Sequence, residues 1–205
     1  MQSISLIEKY FELTEEQKEK LVDFAKMLFL WNTRINVISR KDIDNLWQNH
    51  ILHSLAIAKY IDFTDKSIID VGTGGGLPGI PLAIIFPKAN FLLIDSIGKK
   101  ITIVEDIAQK LNLKNVEVKK ARSTEVKQKF NFVVARAVAS FQKFYPDVKH
   151  LIEKTPNHIN GIIYLKGEDF EAEFDMFGGR VFVKPILAYF NEPYFQNKNI
   201  IHVKM

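Results

Sequence analysis

Apolar residues first recur along this chain at helical spacing. Thr14 and Gln17 have the arrangement of a capping box, and Leu21, Phe24, Ala25, Leu28 and Trp31 follow three or four positions apart, as on an amphipathic helix. A second helix is predicted from about Asp42 to Tyr60, with Leu46, Trp47, His50, Ile51, Ser54, Leu55 and Ala58 on related faces. Residues 1–62 therefore read as a helical extension. From Ser67 the texture changes to short apolar runs, at Ile68–Val71, Phe91–Ile94, Val116–Val118, Phe132–Ala135 and Ile162–Leu165. Helical stretches separate them, around Pro81–Phe86, Gly98–Leu111 and Phe141–Ile152, which implies βαβ units around a buried parallel sheet. Arg180–Leu187 and Ile200–Val203 add an antiparallel edge pair after the acidic stretch Glu168–Asp175. The expectation is an α/β Rossmann-like fold with a mostly parallel seven-stranded sheet. There is no internal repeat or low-complexity linker, so the extension should pack on the core at 63–205 as part of one domain, 1–205.

Composition narrows the chemistry. A chain of 205 residues that is 47% hydrophobic can bury one sizeable core. No apolar run approaches the roughly 20 residues that cross a bilayer, and Met1 opens no basic-then-apolar leader. The expectation is a cytoplasmic protein. Cysteine is absent, which removes thiolate metal sites and Cys nucleophiles. Net charge is only +4, but residues 97–129 hold nine Lys or Arg against four Asp or Glu. Such a segment suits a polyanion such as RNA or, more plainly, a solvated surface.

The strand Ile68-Ile69-Asp70-Val71 runs directly into Gly72-Thr73-Gly74-Gly75-Gly76, and a helix can begin at Pro78 or Pro81. Strand, glycine turn, helix is the order of a nucleotide shelf, where ligand lies against bare main chain. Asp95, at the end of the second strand, is placed to accept hydrogen bonds from ribose hydroxyls. Gly74, Gly76 and Gly79 also spell G-x-G-x-x-G, so an NAD-binding oxidoreductase is a rival. The glycine directly after the strand is Gly72, however, and Leu77 takes the third-glycine place counted from it. Asp70 two residues ahead suits a ligand carrying a cationic amine, such as S-adenosylmethionine, and would crowd a pyrophosphate. Arg136, where the fourth strand should end, falls where strand ends line the ligand crevice.

Several motifs together resemble a family. They are Trp31-Asn-Thr-Arg-Ile-Asn-Val-Ile-Ser39, His50-Ile-Leu-His-Ser-Leu55, Asp70 to Pro81, Leu93-Ile-Asp-Ser-Ile-Gly-Lys-Lys100 and Ala135-Arg-Ala-Val-Ala-Ser140. The chain resembles the glucose-inhibited division protein B family, bacterial methyltransferases acting on guanine N7 in 16S (small-subunit) ribosomal RNA. The likeness runs from about Leu21 to Lys166 and includes the helical extension. It implies S-adenosyl-L-methionine as cofactor, with contacts at Gly72, Leu77, Ser123, Thr124 and Arg136; Asp70, Gly74, Gly76 and Asp95 join them from the turn argument. It departs from the family at His53, where Asp is common, and at Gly75, where Pro is frequent.

Acceptor classes are narrowed by what is missing. Pyrimidine C5 methylation usually needs a Cys adduct. Exocyclic amines are typically held by Asn or Asp followed by Pro-Pro and an aromatic, where this chain reads Ala-Arg-Ala-Val. Guanine N7 already carries a lone pair and needs only alignment, so no firm catalytic side chain is expected and Arg136, His50 and Asn36 are positioning candidates. Arg40, Lys99, Lys100 and Lys166 are RNA-binding candidates. His50 is equally readable as a satisfied core histidine, and Trp31 and Trp47 as packing residues instead of base stackers. Small-subunit rRNA or the subunit itself, acted on by a monomer without metal or membrane, is the expected partner. Another acceptor, or a noncatalytic RNA-binding module, are the alternatives.

Overall fold

The computed structural model describes residues 3–137, 140–154, 159–167 and 170–205. A short helix α1 (Ile4–Glu8) precedes α2 (Glu15–Asn32). The α2 capping box is formed: Gln17 N–H donates to Thr14 Oγ1 and Thr14 N–H to Gln17 Oε1. Leu21, Phe24, Ala25 and Leu28 are its buried stripe.

The continuous helix expected from Asp42 to Tyr60 is divided. A 3₁₀ turn at Ile43–Asn45 leads into a π-helical stretch, Leu46–Leu52, and only then into regular α3 (His53–Tyr60). Apolar spacing cannot distinguish a widened turn from a regular one. Such widenings gather at functional sites, and this one passes the end of the fourth strand.

The rest alternates: β1 (Ser67–Val71), α4 (Gly79–Ile85), β2 (Asn90–Asp95), α5 (Gly98–Lys110), β3 (Val116–Lys120) and β4 (Phe132–Arg136). Then come α6 (Phe141–Val148), β5 (Gly161–Lys166), α7 (Glu171–Phe174), β6 (Val181–Pro185) and β7 (Asn199–Lys204). The seven strands order as β3-β2-β1-β4-β5-β7-β6. β1 to β5 are parallel, and β7 inserts antiparallel between β5 and β6.

Strand side chains alternate between two apolar layers, as the pleat requires. Ile68, Phe91, Leu93, Phe132, Val134 and Ile163 face a core shared with α2, α3, α4 and α5, while Ile69, Leu92, Ile94, Val133, Ala135 and Ile162 face α6 and α7. Helical-extension residues from Ile7 to Ile57 belong to the first core. Trp31 and Trp47 are half-buried against it, and Trp31 Nε1–H donates to Asp106 Oδ2 at 2.8 Å. Among the described residues, no helix is long and apolar enough to cross a membrane.

Candidate active site

β2 and β3 lie on one side of β1, and β4 lies on the other. That reversal of strand order is where open α/β sheets form a crevice at their carboxyl ends. Two cavities flank it.

The first adjoins the glycine turn. Gly72, Gly74 and Gly76 have φ of 75°, 60° and 89°, in the left-handed region that glycine enters without penalty. The glycines nevertheless do different work. A Cβ on Gly75 would meet Leu28 Cδ1 at 2.8 Å, and one on Gly76 would meet Ile80 Cγ1 at 2.6 Å, so both seat the turn against protein. A Cβ on Gly79 would meet Asp70 Oδ2 at 2.7 Å and Leu93 Cγ at 2.8 Å. Gly74 differs: a Cβ there would have Gly72 O at 3.9 Å and otherwise open space. The dinucleotide reading assigns Gly79 to close packing and opens its turn at Gly74, whereas here the turn opens at Gly72.

Asp70, expected beside the ligand, has a buried side chain whose Oδ2 accepts from Thr73 Oγ1 (2.7 Å) and Gly79 N–H (2.9 Å). It closes the turn. Oδ1 is buried without a partner, and burial pushes the carboxyl up to about 7 against the two hydrogen bonds and the Arg136 charge. The Leu77 side chain lies in the helical-layer core, so a ligand contact at this residue would be made by its main chain.

Asp95 ends β2 with Oδ2 accepting from Gly74 N–H (3.1 Å) and Oδ1 from Ile97 N–H (2.9 Å), while Lys100 Nζ lies 3.5 Å from Oδ2. Each oxygen keeps a second acceptor site. Gly72, Asp95, Ser96, Ser123 and Thr124 line one cleft of about 450 Å³ together with Arg122 and Asp147. Ser123 and Thr124 arrive on a 3₁₀ turn, Ser123–Glu125, in which Glu125 Oε2 accepts from Arg122 N–H at 2.9 Å. The cleft offers carboxylate, hydroxyl and bare main chain to a polar nucleoside.

The second cavity, of about 470 Å³, lies beyond β4 and β5. Arg136 ends β4 and donates from Nη1 to Asn49 O (3.3 Å) and from Nη2 to His50 Nδ1 (3.1 Å). Burial lowers its pKa while Tyr194, Asp70 and Asp42 oppose that, and guanidinium remains a cation. Because guanidinium only donates, His50 Nδ1 must accept. Nε2–H then donates to Asp42 Oδ2 at 2.7 Å. His50 is consequently neutral, and burial and the Arg136 charge lower its pKa to about 4 despite Asp42. Asn49 Nδ2 donates to Asp42 Oδ1 at 2.5 Å and completes the cluster.

The same cavity receives His53, Tyr164, Lys166, Tyr194 and Lys198. Lys166 pairs with Glu173 at 2.7 Å. Asn36 and Arg40 are exposed on the segment after α2, whose Val37, Ile38 and Ser39 are the residues that reach the cavity. Lys99 is exposed in the first turn of α5, away from both cavities. Val138 and Ala139 of the Ala135–Ser140 motif, and Glu168 and Asp169 of the acidic stretch, lie outside the described residues. Sequence reading did not single out Asp42, Tyr194 or Lys198. None of the three sits in a motif, because their place at the cavity comes from tertiary packing.

Comparison with known proteins gives one answer. Residues 17–192 match the family described as rRNA small subunit methyltransferase G. A protein of Bacteroides fragilis strain YCH46 named ribosomal RNA small subunit methyltransferase G is 44% identical, covering 98% of this chain and 91% of that one. Its namesake from Flavobacterium johnsoniae is 45% identical, with 96% of each covered. Among solved structures, a SAM-dependent methyltransferase from Aquifex aeolicus superposes with a TM-score of 0.57 at 18% identity, over 82% of this chain and all of that one. The last likeness shows the fold.

Proposed function

The chain belongs to the rRNA small subunit methyltransferase G family, and from that premise we propose that it transfers a methyl group from S-adenosylmethionine to N7 of a guanine in small-subunit (16S) ribosomal RNA. The observation that carries the reading is the pair of cavities flanking β1 and β4, one lined by Gly72 and Asp95 and the other walled by Arg136. A donor on one side of the switch point and an acceptor on the other meet at the carboxyl ends of β1 and β4.

The residues present fit the cofactor. Gly74 leaves the space a Cβ would fill, Asp95 has acceptor capacity for ribose hydroxyls, and the buried Asp70 carboxyl favours a cationic amine. Gly72, Ser123 and Thr124 would complete the cradle, and Gly76 and Leu77 would hold its back. When bound, S-adenosylmethionine supplies a methyl on a sulfonium, which a purine N7 lone pair accepts without losing a proton. The protein therefore needs no general base, and the neutral His50 is not asked to be one. Its task is positioning. Asp42 and Arg136 fix the His50 ring, and Arg136, Lys166 and Lys198 present donors to an RNA polar group. The cavity walls Ile38, Tyr164 and Tyr194 keep water from the reacting pair. Arg40, Lys99 and Lys100, outside that cavity, are read as phosphate contacts on the flanking surface. We read the chain as one domain acting as a cytoplasmic monomer.

The test is methyl transfer from labelled cofactor to small subunits of a strain lacking this gene, followed by mapping of N7-methylguanine by chain cleavage. One new site is expected. Calorimetry showing binding of NAD and none of S-adenosylmethionine would overturn the reading.

A further inference from the structure

His53 is a buried histidine on α3 whose ring lines the second cavity. Its Nε2 has no hydrogen-bond partner. The Asn49 carbonyl holds the other nitrogen, Nδ1, and a carbonyl only accepts, so Nδ1 carries the proton. Burial and the charges of Arg136 and Lys198 keep the ring neutral. Nε2 is thus an acceptor fixed by its surroundings, with the ring clasped edge-on by Tyr194 and Phe195, each 5.9 Å away between centroids.

Several of the polar groups around it are already paired or can only donate. Asp42 receives Asn49 and His50, Tyr194 donates to Asn49 O at 3.4 Å, Lys166 is paired with Glu173, and Arg136 and Lys198 can only donate. An unsatisfied acceptor among donors matches a ligand edge carrying N–H beside C=O. Guanine has that edge, with N1–H and the N2 amine next to O6, whereas adenine presents a bare N1 there.

We propose that the Nε2 lone pair of His53 accepts a hydrogen bond from an N–H on the Watson–Crick edge of the acceptor guanine, making His53 a residue that selects guanine over adenine. This rests on the guanine-N7 reading above. A site that hydrogen-bonds a substrate N–H rejects the analogue lacking it, because the protein acceptor is then buried and unpaired.

The experiment compares small subunits reconstituted with guanosine, inosine or 2-aminopurine riboside at the target position. Inosine lacks only the N2 amine, and 2-aminopurine lacks both N1–H and O6. Wild-type protein should lose about tenfold or more in kcat/KM on one of the two: a loss on inosine identifies N2 as the donor, and a loss on 2-aminopurine that His53→Phe does not deepen identifies N1. His53→Phe, which keeps the ring shape without an acceptor, should lose a similar factor on guanosine and nothing further on that analogue. His53→Gln, whose Oε1 approximates the place of Nε2, should restore most of it. Cofactor affinity by calorimetry should stay unchanged in both variants. A wild type indifferent to the analogues, or a His53→Phe protein with intact cofactor binding and unchanged kcat/KM on guanosine, overturns the inference while leaving the methyltransferase reading standing. Wild-type protein that puts no methyl on guanosine N7 overturns that reading and this inference together.

Discussion

Arg136 and His50 meet at 3.1 Å, guanidinium Nη2 to imidazole Nδ1, although 86 residues separate them. That contact decides the charge of the imidazole, since a proton on Nδ1 would face another N–H. The folded-state pKa of about 4 lies below the ordinary 6.5. With a depressed pKa, the stabilising contribution of His50 is present above about pH 6.5 and is lost as pH falls toward 4, by about 3 kcal/mol at most. Thermal unfolding from pH 7.5 to 4.5 should show a fall in Tm that is shallower in His50→Gln. Equal slopes in the two proteins would refute the pairing.

The glycines of the turn should separate by phenotype. Gly76→Ala forces a Cβ to 2.6 Å from Ile80 Cγ1 at a φ of 89°, an overpacking expected to cost about 1–3 kcal/mol. Gly74→Ala meets open space, so its stability cost is only that of the left-handed backbone, about 1 kcal/mol. Its Cβ would occupy open space that the proposed function gives to the cofactor. Gly74→Ala should keep most of its Tm and lose cofactor affinity, while Gly76→Ala should show the larger fall in Tm. Differential scanning and binding calorimetry on the two variants would check this, and identical behaviour would count against the division of labour.

On the proposed function, cofactor binding is expected to be proton-linked through Asp70. Its carboxyl is raised to about 7, so near neutrality the free protein carries a fractional proton there. A cationic amine bound nearby lowers that pKa, and the proton leaves. Binding calorimetry near pH 6.5 in buffers of different ionisation enthalpy should report net proton release, falling toward zero by about pH 8.5 and absent in Asp70→Asn. The sign for stability is opposite to that of His50: a raised carboxyl stabilises the free protein at low pH, and the contribution is lost as pH rises through about 7.

How far the sequence reveals these arrangements depends on the range of the interaction. The strands were legible because a parallel sheet covered on both faces needs short, continuous apolar runs such as Phe132–Ala135, and the glycine turn because Asp70 to Gly79 is local. What a glycine avoids is not local. Gly76 and Gly74 look alike in sequence, and only Ile80 behind one and open cleft beside the other distinguishes them. The π-helical turn at Leu46–Leu52 keeps the apolar spacing of a regular helix. The Asp42, His50, Arg136 cluster and the entry of Tyr194 and Lys198 into the second cavity depend on tertiary packing, for which no local pattern exists.

Trp31 is where a structural and an RNA-contacting role make opposite forecasts. Its ring packs against the first core, Nε1–H donates to Asp106 Oδ2 at 2.8 Å, and the Arg34 guanidinium lies 5.9 Å from its centroid. Asp106 also accepts from Lys110 at 2.9 Å, so the indole ties α2 to an ion pair on α5. Neither Trp31 nor Asp106 lines the cavities at the switch point. Trp31→Phe should therefore remove one hydrogen bond and some packing, about 1–2 kcal/mol, and leave kcat and KM for small subunits unchanged below the unfolding temperature. A base-stacking tryptophan would instead raise KM for RNA at constant Tm, because stacking is made only with the substrate. Measuring both quantities on one variant separates the alternatives: lower Tm with unchanged KM places Trp31 in the scaffold joining the helical extension to the sheet, and the reverse pattern would move it into the RNA interface.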